Sequence, residues 1–71
     1  MQTKIEKINN KLDELFVIQE THYLDVEDFD IQTQKEDQII NLIKKGALDK
    51  ATLEIENLIK WLKKTATVEV D

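Results

Sequence analysis

Cysteine, proline, serine and arginine are all absent from this chain, and there is one glycine in 71 residues. Each absence removes a class of answer. Without cysteine there are no disulfides and no thiolate metal sites. Without proline, and with a single glycine, there is little turn chemistry for a β-fold, whereas long helices meet no breaker. The lack of both serine and cysteine removes the commonest nucleophiles. All ten positive charges are lysine, and surfaces that read phosphate favour the bidentate fork of arginine. The net charge of −5 points the same way, because a nucleic-acid binder usually carries a basic surplus on one face. No direct nucleic-acid partner is expected. The longest apolar run, Leu15-Phe16-Val17-Ile18, falls far short of the ~20 residues of a membrane span. Ile5 and Ile8 are interleaved with charge, unlike the continuous apolar core of a signal peptide. The expectation is a cytoplasmic protein with no membrane partner.

What is present is helical spacing. Ile5, Ile8, Leu12 and Leu15 recur at steps of three and four, as do Leu48, Ala51, Ile55, Leu58 and Leu62; Ile39, Ile40 and Ile43 form a shorter stripe between them. Such steps place each set on one side of an α-helix. Thr3-Lys4-Ile5-Glu6 is a capping box, in which the threonine oxygen accepts a first-turn N–H and the glutamate reaches back. It predicts a helix over about 4–20. Thr33-Gln34-Lys35-Glu36 repeats the signature and predicts a second helix over about 34–45. That helix should end at Lys44 and Lys45, which suit its negative end, with Gly46 in the left-handed position beyond. Asp49 is read as the cap of a third helix over about 50–64. Helices two and three then form an antiparallel hairpin, which in outline, with its turn glycine, resembles a single tetratricopeptide-type unit. The aromatic and proline positions of that repeat are absent and one unit cannot form a stacked array, so no function follows from it.

Residues 22–33 alternate acidic and apolar, as in Asp25-Val26-Glu27-Asp28-Phe29-Asp30-Ile31. Aspartate is a poor strand former, and no other segment alternates well enough to pair with this one. An ordered loop or short turn, pinned by Tyr23, Leu24, Val26 and Phe29, is the preferred reading. A continuous helix capped by Asp25 is the alternative. The tail 65–71 is expected to fray, although Thr67-Val68-Glu69-Val70 alternates like a strand that could add to a partner's sheet edge.

Four groups of residues are candidates for function. Phe16, Val17 and Ile18 on helix one, with Leu53 and Trp61 on helix three, exceed what one small core needs and could form an apolar protein-binding face. Seven acids lie between Lys11 and Lys35 with no intervening lysine. Of these, Glu20, Asp25, Glu27, Asp28 and Asp30 form an acidic segment that could steer a basic partner. Asp25, Glu27 and Glu36 fall at the first, third and twelfth positions of a calcium loop, but the fifth and sixth are Phe29 and Asp30, where an oxygen ligand and glycine are required. No metal site is expected there. His22, the only histidine, has no cysteine or second histidine with which to hold zinc. A carboxylate pair could do acid–base work only in a cleft that perturbs its pKa values, so no catalysis and no cofactor are expected.

A chain this short buries only roughly 60% of its unfolded surface, so tight helix packing or self-association must supply stability. The sequence therefore describes a single all-α domain of three helices with heptad-like packing, self-associating most simply as a twofold homodimer. Its expected role is protein–protein interaction, as a regulator, inhibitor or assembly chaperone. An acidic decoy that occupies a nucleic-acid-binding protein is the second reading. The Arg-free, Lys/Ile/Asn/Glu-rich composition hints at an AT-rich bacterial or phage-like genome.

Overall fold

The computed structural model describes residues 3–68. Three helices, α1 (Lys4–Thr21), α2 (Val26–Lys44) and α3 (Leu48–Thr65), pack against one another, and a two-stranded antiparallel ladder of β1 (His22–Tyr23) and β2 (Thr67–Val68) closes one end. Helix α3 is the centre. Its apolar seam is buried along its length, with Ala51 and Ile55 wholly enclosed and Leu58 and Leu62 nearly so. Ile8, Leu15 and Ile18 of α1 and Ile39 of α2 complete the core. Helices α1 and α2 both approach α3 closely and approach each other much less.

The α1 seam differs from the expected one. Ile5 is exposed and Leu12 half-buried, while Ile18 is inside. At about 100° per residue, Ile8, Leu15 and Ile18 share one narrow side, and Ile5 and Leu12 lie on its flank. Two ion pairs register α1 on α3: Lys4 with Asp49 at 3.0 Å and Lys11 with Glu56 at 3.5 Å. Both pairs are separated by 45 residues (49 − 4 and 56 − 11), so the two helices run parallel.

The capping box at Thr3 forms its first bond, with the Glu6 N–H donating to Thr3 Oγ1 at 3.1 Å. The second box does not form. Helix α2 begins at Val26, eight residues before the expected start, and Thr33 is mid-helix with its hydroxyl donating to the Phe29 carbonyl at 3.1 Å. Two features explain this. Glu27 and Asp28 stand in the first turn behind Asp25 at the N-cap, where negative charge is favoured by the helix dipole. Gln32, buried, takes the core-facing place one heptad before Ile39. A polar residue there hides the helix from any search for apolar periodicity.

Helix α2 ends as its sequence predicts. Gly46 adopts φ +79°, the Ala47 N–H donates to the Leu42 carbonyl and the Gly46 N–H to that of Ile43, which is a complete Schellman turn. This turn delivers the chain directly into α3. The helix therefore starts at Leu48 with Ala47 at the cap, and Asp49 falls inside the first turn instead of capping it. The tail also departs from expectation. Thr67–Val68 pairs within the chain, Tyr23 opposite Thr67 and His22 opposite Val68; Glu69 and Val70 lie outside the described residues.

Thr33→Ala is expected to leave the melting temperature unchanged or raise it, since alanine is the better helix former at an interior site. A loss of about 0.5–2 kcal/mol, the cost of removing a cap, would show that a helix starts at Thr33. Gly46→Ala is expected to lose about 1–2 kcal/mol in urea unfolding. That loss is purely conformational, because nothing lies within 4 Å of the added Cβ.

Candidate functional site

Because α1 and α2 both lean on α3, a gap remains between them on the side away from it. Its walls follow from helical phase. On α1, Leu12, Phe16 and Gln19 flank the buried side; on α2, Phe29, Glu36, Ile40 and Ile43 do the same. These residues border two adjoining clefts. One, of about 190 Å³, is lined by Leu12, Leu15, Phe16, Ile39, Ile40 and Ile43 with Glu36 at its edge. The other, of about 430 Å³, is lined by Gln19, His22, Tyr23, Leu24, Phe29, Gln32 and again Glu36. Between them Gln19 Nε2 donates to Glu36 Oε1 at 2.8 Å, a polar bridge across an otherwise largely apolar groove. Phe16, Tyr23, Phe29 and Ile40 are all roughly half exposed along it.

The expected apolar face is therefore dispersed. Phe16 is on the groove. Ile18 is not a surface residue at all, being 7% exposed within the core. Val17 is exposed one step further round α1, away from α3. Leu53 is exposed on the outer side of α3, in a shallow cleft with Lys4, Lys7, Asp49 and Glu56; a single apolar residue in such surroundings needs no partner. Trp61 is half-buried against the core, with Lys35 of α2 5.8 Å above its ring, within the range of a weak cation–π contact. Phe29, Tyr23 and Ile40 are the groove residues that sequence reasoning missed as a surface. The signal was the pair Phe29 and Glu36, one heptad apart, readable only once residues 26–33 are known to be helical.

The acidic segment is not a loop. Asp25, Glu27 and Asp28 occupy the N-terminus of α2, and Asp30 follows in the next turn. Glu20 is exposed near the end of α1. At about 100° per residue, Glu27 and Asp30 share one side of the helix, about 60° apart, while Asp28 is turned about 100° or more from both. His22 also has a local role. Its Nδ1 lies 2.9 Å from the Ile18 carbonyl and 2.9 Å from Thr21 Oγ1. The ring sits at the C-cap position against the end of α1, whose last turn has no basic residue, while Thr21 donates to the Val17 carbonyl at 3.1 Å. Among the described residues no cluster of three or more histidine, aspartate or glutamate side chains could hold a metal ion. No helix among them is long and apolar enough to cross a membrane. Comparison with family models, with curated proteins and with solved structures finds no match for this chain.

Phe16→Ser is expected to change unfolding free energy by no more than about 0.5 kcal/mol, as for other surface positions, whereas Ile18→Ala should cost about 2–5 kcal/mol. Equal losses in chemical denaturation would mean that Phe16 belongs to the core and that the groove is closed.

Proposed function

We propose that this chain acts by binding another protein, without catalysis, and that the groove between α1 and α2 is the docking face. A regulator, inhibitor or assembly chaperone would work in this way. The observation that carries the reading is the line of half-exposed Phe16, Tyr23, Phe29 and Ile40 along one groove. Large side chains held at an open seam keep apolar area in water that a partner would cover, at roughly 25 cal/mol per Å² of apolar area. In this reading α2 and α3 form an antiparallel hairpin, and α1 and α2 are the two walls of the groove. A nucleic-acid mimic is the less favoured reading, because within the segment only Glu27 and Asp30 share a side of α2 and Asp28 is turned away from them. A twofold homodimer is the competing use of the same apolar surface.

The test is affinity capture from the source organism with three baits: the unaltered chain, Phe16→Glu together with Ile40→Glu, and Leu53→Glu on the opposite side of the molecule. The expected outcome is one protein retained by the first and third baits and lost from the second, with helicity intact in all three by circular dichroism. Retention by the folded groove variant would place docking elsewhere and refute the assignment.

A further inference from the structure

We infer that the occupant of the α1–α2 groove is an amphipathic helix of a partner protein, carrying Lys or Arg along both edges of its apolar stripe. This rests on the groove being the docking face. The shape supports a helix. From Phe29 to Ile43 the groove follows fourteen residue steps of α2, about 21 Å at 1.5 Å per residue, or nearly four helical turns. A helix laid there would present apolar side chains at i, i+4, i+7 and i+11.

The charge of the rim selects the partner. Next to Phe16 on the outward side of α1 stand Asp13 and Glu20, three residues before it and four after; next to Ile40 on α2 stands Asp37. All three are exposed, and none forms an ion pair among the described residues. Glu36, which accepts from Gln19, adds a fourth carboxylate where the two clefts adjoin. Lys44 is the basic residue on the same flank of α2. The other lysines of α1 and α2 are turned the other way. Lys4 and Lys11 pair with Asp49 and Glu56 of α3, Lys7 lies in the cleft beside them, and Lys35 sits over Trp61. Apart from Lys44, the charges named beside the groove are acidic, whereas the lysines of α1 and Lys35 of α2 lie towards α3. A second copy of the chain seated across a twofold axis would set one acid-rimmed groove against another, an arrangement that complementary interfaces avoid.

The probe is a synthetic helical peptide of about 18 residues with leucine at i, i+4, i+7 and i+11 and lysine on the flanking positions. Its comparators are a twin with glutamate for lysine and a scrambled peptide of the same composition. Binding to the full chain is followed by fluorescence anisotropy at about 0.02 M and 0.15 M salt, where screening lengths differ by about threefold. The patterned basic peptide is expected to bind at least about tenfold more tightly than either comparator at low salt, with a smaller margin at high salt. Asp13→Asn, Glu20→Gln and Asp37→Asn together should remove most of that margin, and Phe16→Glu should weaken binding of the patterned peptide itself. If the scrambled peptide binds equally well, attraction is by net charge alone and the inference is overturned. If the basic and acidic peptides bind alike but Phe16→Glu weakens both, the groove is a docking face and its basic partner class is wrong. If neither binds and Phe16→Glu has no effect, both readings fall. If sedimentation shows a dimer that Phe16→Glu dissociates, the occupant is a second copy and the inference is overturned.

Discussion

Everything in this molecule depends on the burial of one side of α3. Ala51, Ile55, Leu58 and Leu62 have essentially no exposure, and they are covered from two directions, by α1 on one flank and α2 on the other. A domain of this size has one thin core, and here that core is a ridge with two walls resting on it. The walls do not need to meet. Their separation leaves Phe16, Phe29 and Ile40 with one side against protein and the other towards water, so the open groove is a direct consequence of how the core is built.

Charge then decides how the walls are used. The side of α1 that borders α3 carries Lys4, Lys7 and Lys11, and two of these find acids of α3. Exposed pairs of this kind contribute little stability, but they agree with the packing and set a parallel register for α1 on α3. The consequence falls on the opposite flank. Asp13 and Glu20 of α1 and Asp37 of α2 stand exposed at the rim of the groove, with no ion-pair partner among the described residues. Surface charge sorted in this way contributes more to which partner arrives, and how fast, than to the fold itself.

The capping boxes show why part of the architecture was legible in the sequence and part was not. Thr3-x-x-Glu6 and Thr33-x-x-Glu36 are the same pattern. The first acts as a cap because Thr3 itself is extended and the helix begins just after it. At Thr33 the helix has already begun at Val26, so its hydroxyl has only the carbonyl of Phe29 to bond. Gln32 hides that earlier start, since a buried amide at a core position breaks the apolar stripe of the upstream turns. Gly46 is the opposite case. Its φ, its Schellman bonds and the end of α2 were all implied by Lys44-Lys45-Gly46, because a left-handed residue after a helix is a local requirement.

By itself the sequence determined what local physics determines: three amphipathic segments, the cap at Thr3, the stop at Gly46, the buried seam of α3 and an excess of apolar side chains over one core. Only the tertiary structure decided which of those side chains are surplus. Ile18 and Phe16 are two residues apart in one apolar run, yet Ile18 is inside and Phe16 lines an open groove, because the 3.6-residue turn sends them to different sides of α1 and only packing on α3 says which side is covered. It also decided that Thr67 and Val68 pair with Tyr23 and His22, since a two-residue ladder is too weak to form before the helices bring its strands together.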